Sequence, residues 1–128
     1  MPLKISLKPG ERFVLNGAVI ENGDRRANLV LCNKASVLRE KDILQEEDVN
    51  TPVRRIYFPI MMMYLSSTET DQLYEQFVLR MNEFMGVVTD RDALTLCVAV
   101  SRDVMAHEYY KALMGCRKLM KYEAERLA

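Results

Sequence analysis

The chain is poor in the residues that most specialised chemistry needs. It has one histidine, His107, and three cysteines, Cys32, Cys97 and Cys116, which stand far apart with no Cys-x-x-Cys spacing. A histidine-based metal site lacks partners, and neither a zinc site nor a redox pair is readable. The five glycines are scattered at turns, so no phosphate-cradling loop exists. No apolar run approaches the roughly 18 residues of a membrane span. The opening Met1-Pro2-Leu3-Lys4 carries no apolar signal-peptide core before Lys8, Glu11 and Arg12. Repeats, low-complexity tracts and Gly/Ser linkers are missing too. Excess charge is also lacking: 18 Lys and Arg balance 18 Asp and Glu. That balance argues against a generic polyanion binder that coats nucleic acid or anionic membrane. These absences predict a cytoplasmic protein with no metal, no cofactor and no membrane contact, whose thiols stay reduced and partly buried.

What is present is globular. With 49% apolar and 28% charged residues, the 128-residue chain can form one domain, or two small subdomains sharing a core. A chain of this length buries roughly two-thirds of its unfolded surface and needs no disulfide or metal to fold. Nine methionines suit adaptable core or interface filling.

Residues 1–44 read as β structure. Leu3-Lys4-Ile5-Ser6-Leu7 alternates apolar and polar, the period of a half-buried strand. Lys8-Pro9-Gly10-Glu11 is a turn. Phe13 and Leu15 begin a strand pair broken at Asn16-Gly17, a tight-turn dipeptide, and continued by Val19. Asn22-Gly23-Asp24 turns again. Leu29-Val30-Leu31-Cys32 reads as a short buried strand, Asn33-Lys34-Ala35 as a turn, and Ser36-Val37-Leu38-Arg39 as a further strand. Four or five short strands predict a small antiparallel sheet or barrel.

Residues 45–128 read as helical. Gln45-Glu46-Glu47-Asp48 is an acidic connector, and Thr51-Pro52 is a helix start. The run Phe58-Pro59-Ile60-Met61-Met62-Met63-Tyr64-Leu65 is apolar almost all round, which implies burial or an interface. Pro59 is expected to kink or split this helix, with a strand as the alternative. Ser66-Ser67-Thr68-Glu69 offers a capping box. Leu73, Phe77, Met81, Phe84 and Met85 share a face, with Gly86 as the expected stop. Thr89 and Asp92 are the expected caps of a third helix with Leu94, Cys97 and Val98 inward. A final stripe runs through Val104, Met105, Tyr109, Leu113, Cys116, Met120 and Leu127, with Ser101 either breaking or continuing the helix. The fold class is therefore α+β: a β-rich part followed by a bundle of three to four helices, expected to form one compact unit.

No catalytic set is readable, and the protein is not expected to be an enzyme. His107 reads as a surface or packing residue, and Glu46-Glu47, Asp90/Asp92 and Glu123/Glu125 read as connector, cap and solvated-helix charges. The basic residues say more. Residues 1–44 hold eight Lys and Arg against five Asp and Glu, whereas residues 57–90 are acidic. Lys8, Arg12, Arg25, Arg26, Lys34, Arg39 and Lys41 lie in the β part. Arg25-Arg26 follows a turn, where guanidiniums reach phosphates or bases. The competing reading makes these solvated sheet residues, some paired with Glu11, Glu21, Asp24 and Glu40.

The segments Met1 to Ala18, Asn22-Gly23-Asp24-Arg25-Arg26 and Asn33 to Ile43 resemble the FlbT family of flagellar regulators. Arg55-Ile56-Tyr57-Phe58, Tyr109-Tyr110-Lys111-Ala112-Leu113, Arg117-Lys118-Leu119 and Tyr122-Glu123 are similar to the same family. The resemblance implies a post-transcriptional repressor of flagellin synthesis. Such a protein associates with the 5′ untranslated region of flagellin mRNA and promotes its decay. A FlaF-like regulator is the implied protein partner. A shorter resemblance links the N-terminal part to the RNA-binding protein CsrA, through Gly10-Glu11 and Val37-Leu38-Arg39-Glu40-Lys41-Asp42-Ile43. It implies RNA contact for Arg39 and Lys8 and a homodimer, although Leu7 stands where CsrA carries another basic residue. The alternative function is a protein-interaction module that binds a FlaF-like regulator, flagellin or a second copy. Tyr57, Phe58, Met62, Tyr109 and Tyr110 would then form the partner surface and effects on mRNA would be indirect.

Overall fold

A computed structural model describes residues 3–66 and 69–126. The chain divides into two compact units, residues 1–43 and 44–128. Five strands build the first: β1 (Leu3–Leu7), β2 (Arg12–Leu15), β3 (Ala18–Glu21), β4 (Ala27–Leu31) and β5 (Val37–Arg39). They form two antiparallel sheets, one pairing β1 with β4 and one in the order β3-β2-β5. Ile5, Leu7, Phe13 and Val37 form a shared core, with Leu15, Ile20, Leu31 and Ala35 packed against it.

Asn16 and Gly17 join β2 to β3 with positive φ at both residues, 49° and 86°. That is the geometry a two-residue hairpin needs and an Asn-Gly pair adopts readily. Asn16 also ties β5 down, accepting the Ser36 N–H at its side-chain oxygen and donating its own N–H to the Ser36 carbonyl. The fourth strand differs from expectation. It starts earlier, at Ala27, and Leu29, Val30 and Cys32 are exposed rather than buried. A two-stranded sheet in this unit offers the core only part of its surface, and Ile5 and Leu7 on β1 take the buried positions.

The second unit holds four helices: α1 (Pro52–Leu65), α2 (Thr70–Val87), α3 (Arg91–Met105) and α4 (Tyr109–Arg126). Helix α1 packs against α2 and α4, and α4 packs against α3. Thr51 caps α1 by accepting the Arg54 N–H at 3.2 Å, with Pro52 at the first helical position. Pro59 does not split α1, which runs through it as one helix, and the strand alternative falls with it. Of the apolar run, Pro59, Ile60, Met61 and Met63 are buried and the other four residues half-buried, so none of it is an open apolar face.

Residues Ser67 and Thr68 of the expected capping box lie outside the described residues. Glu69 stands at the N-cap of α2 with no side-chain cap bond. The expected face holds: Phe77, Met81 and Phe84 are buried, and Leu73 and Met85 half-buried. Gly86 is not the stop, because α2 continues to Val87 and ends where Val88 turns extended and is buried. Helix α3 is capped by Asp90, which accepts the Ala93 N–H at 3.0 Å, rather than by Thr89 or Asp92. Its inward residues are Ala93, Cys97, Val100 and Val104, while Val98, one position round from Cys97, is exposed. Ser101 continues α3, its hydroxyl donating to the Cys97 carbonyl at 2.9 Å.

The break between α3 and α4 falls at residues 106–108. There Glu108 N–H reaches the Asp103 carbonyl and His107 N–H the Val104 carbonyl, the paired bonds of a Schellman stop. His107 holds the left-handed position, φ 60°, that glycine usually takes. Met105 leaves the expected stripe and is exposed, and Leu127 lies outside the described residues. Leu113, Cys116 and Leu119 are buried on α4, with Tyr109 and Met120 half-buried. Burial raises the Cys97 thiol pKa to about 11 and pushes that of Cys116 up as well.

Glu123 overturns its expected role. It is buried on α4, and its Oε2 accepts the N–H of fully buried Val53 at 3.0 Å. It therefore serves the first turn of α1, while Glu125 remains a solvated helix charge.

Candidate functional site

The cationic side chains of the first unit are organised around two small residues, Ser6 and Asn22. The Asn22 amide donates to the carbonyls of Lys8 and Arg25, each at 2.8 Å, and its backbone N–H donates to the Glu11 carbonyl. One side chain thus fixes the loop carrying Arg25-Arg26 beside the turn carrying Lys8. Gly10, with φ 74°, closes the same corner by donating to the Gly23 carbonyl at 2.9 Å. Ser6, on the exposed register of β1, receives two guanidiniums. Arg26 donates to its hydroxyl at 3.3 Å, and Arg39, from β5 in the other sheet, donates to its carbonyl at 2.7 Å.

Charges in this group are not equally available. Arg39 is committed: it pairs with Glu11 at 2.8 Å, and the Glu11 side chain is largely sheltered. Glu11 is held below the usual carboxylate range, first by the Lys8 backbone N–H and then by Arg39. Arg39 Nε is buried without a hydrogen-bond partner among the described residues. Arg12 stands opposite Glu21 across β2 and β3 and pairs with it at 2.8 Å, both side chains exposed. That partner raises the Arg12 pKa. Lys8, Arg25 and Arg26 are exposed and have no ion-pair partner among the described residues.

The structure thus brings Lys8, Arg25, Arg26 and Arg39 together, with Arg39 as a tethering residue. Arg12 lies on β2 within its own ion pair. Lys34 is exposed on the β4–β5 connection, and Lys41 is exposed in the 3-10 turn Glu40–Asp42. In the sequence, Asn22 reads only as a turn residue. The Asn-Gly-Asp triplet gives no signal that its amide bridges two carbonyls three and fourteen residues away.

The expected partner surface divides. Tyr57 is buried, 1% exposed, so as folded it offers no surface. Phe58 and Met62 are half-buried one turn apart on α1. Tyr110 is exposed with its ring 5.8 Å from Tyr64, and Tyr109 stacks on His107 at 5.6 Å. Among the described residues no group of three or more His, Cys, Asp or Glu could hold a metal ion. No helix is long and apolar enough to cross a membrane among those residues.

A family model described as "Flagellar protein FlbT" matches residues 3–127. The chain is 65% identical to the "Probable flagellum biosynthesis repressor protein FlbT" of Caulobacter sp. (strain K31), covering 99% of this chain and 97% of that protein. It is equally similar, at 65%, to the "Flagellum biosynthesis repressor protein FlbT" of Caulobacter vibrioides, covering 99% and 90%. Against the "Probable flagellum biosynthesis repressor protein FlbT" of Rhodopseudomonas palustris (strain TIE-1) the identity is 40%, covering 100% and 99%. No solved structure matches the chain.

Proposed function

This chain belongs to the FlbT family, and on that premise we propose that it represses flagellum synthesis by acting on a flagellin transcript. Its β unit contacts the 5′ leader of the message, and the bound message is withheld from ribosomes and degraded. The observation that supports this reading most is the group formed by Lys8, Arg25 and Arg26, exposed and without an ion pair among the described residues, beside the tethered Arg39. Guanidiniums on a turn can stack on unpaired bases and pair with phosphate, which suits a single-stranded loop. The acidic residues elsewhere balance these charges and weaken indiscriminate binding, so selection comes from the shape of the leader. A FlaF-like regulator, flagellin or a second copy is the proposed class of protein partner for the helical unit.

A gel-shift series with purified protein and flagellin leader RNA tests the site. The triple variant Lys8→Ala, Arg25→Ala, Arg26→Ala should weaken binding strongly. It should also make the log–log salt dependence shallower by about 2, three lost contacts on a single strand. Lys111→Ala, Lys118→Ala, Lys121→Ala removes as much charge from α4 and should change binding little. Equal effects from the two triples, or none from the first, would overturn the assignment.

A further inference from the structure

A cleft in the helical unit answers to a different chemistry. It has a volume of about 530 Å³, within the range of pockets that hold ligand or peptide anchors. One wall is the start of α2, with Asp71, Tyr74 and Glu75; the other is the α3–α4 turn, with Met105, His107 and Tyr109. Thr70 and the buried Met63 and Val104 complete its lining.

Three observations combine. First, the ionised residues of the lining are acidic and come from α2. Asp71 and Glu75 stand one helical turn apart, exposed and without ion pairs among the described residues. No Lys or Arg lines the cleft beside them. Second, apart from Thr70 the remainder of the lining is apolar or aromatic. Met105 is 69% exposed at its edge, and Tyr74 is 39% exposed. Third, His107 keeps a left-handed backbone that glycine would adopt without strain, and its ring lies stacked on Tyr109, 17° from parallel. Paired carboxylates beside aromatic faces recognise a Lys or Arg head group. A methionine-rich lining receives an adjacent apolar side chain and adapts to its shape. The same carboxylates repel phosphate, which disfavours nucleic acid and anionic lipid.

We propose that this cleft is the docking site for a short segment of a partner protein that carries a Lys or Arg beside an apolar side chain. Charge complementarity chooses that occupant over an acidic or purely apolar one. The proposal does not depend on RNA contact by the β unit.

Methionine-methyl NMR of the full chain tests it, with a short capped peptide alternating leucine and arginine as the probe. The Met63 and Met105 methyls should shift saturably with this peptide. They should stay still with the counterpart carrying glutamate at each arginine. Asp71→Asn with Glu75→Gln should weaken the apparent Kd at least tenfold while leaving leader-RNA binding unchanged. His107→Gly should preserve the fold, since glycine suits the turn, yet weaken the peptide several-fold. Equal response to both peptides, unchanged affinity in the double variant, or spermidine displacing the peptide at matched charge concentration would overturn the proposal. The last result would make the cleft a small-cation site.

Discussion

Removing the Glu123 carboxylate should destabilise the helical unit out of proportion to its place on a helix near other charged residues. The carboxylate accepts the N–H of Val53, a residue fully buried at the first turn of α1, and is itself only 8% exposed. Glu123→Ala leaves that N–H with no acceptor in a dry site, a loss of about 1–3 kcal/mol. It also removes a negative charge from a helix N-terminus, about 0.3–1 kcal/mol and more where burial is good. Together these give about 1–4 kcal/mol. Glu123→Gln keeps an acceptor oxygen of the same reach and loses only the charge, so it should cost about 1 kcal/mol. Urea denaturation followed by far-UV circular dichroism reads the helices, and the midpoint should fall in the order wild type, Gln, Ala with little change in slope. Glu125→Gln, on the exposed side of α4, is the control and should lie within about 0.5 kcal/mol of wild type. Alanine costing under about 0.5 kcal/mol, or no more than glutamine, would refute the capping account.

The other expectations concern a close approach and a titration. A Cβ on Gly115 would stand 2.7 Å from Val100 Cγ2, between α4 and α3. Gly115→Ala should therefore destabilise by about 1–2 kcal/mol, overpacking outweighing the gain in helix propensity. Adding Val100→Ala should relieve the clash. A more stable single variant in thermal melts would refute the close packing. The Lys8 backbone N–H and the Arg39 guanidinium hold the folded Glu11 carboxyl below the usual carboxylate range. Its contribution is therefore present above the unfolded pKa and lost as pH falls through the folded one. Backbone amide shifts of the β unit followed through an acid titration should show this loss, and Glu11→Gln should remove it; an identical acid profile in the variant would refute the role.

Much of the architecture was legible because it is written in local chemistry. Asn16-Gly17 can hardly do anything but turn, and Thr51-Pro52 states a helix start in two residues. The alternation of Leu3 to Leu7 marks β1 to the residue. Errors fell where the deciding partner is distant. Gly86 looks like a stop, but the chain leaves α2 two residues later, where Val88 is buried. Glu123 looks solvated until α4 is seen to meet the start of α1. Tyr57 suits an interface by type and a core by position. At the candidate site, the basic residues were readable as a set. That Arg39 is tied to Glu11 and Ser6, while Arg25 and Arg26 are held near Lys8 by Asn22, required the fold.

The reach of Glu123 back to Val53 spans 70 residues, and it sets a schedule. All strand pairings of the β unit close within the first 43 residues, so that unit can form while the ribosome is still making α2. Helix α1, made next, must wait for residue 123 to emerge before its first turn gains that acceptor. During synthesis the nascent protein would therefore present a finished sheet pair ahead of a helical unit still lacking its last tie.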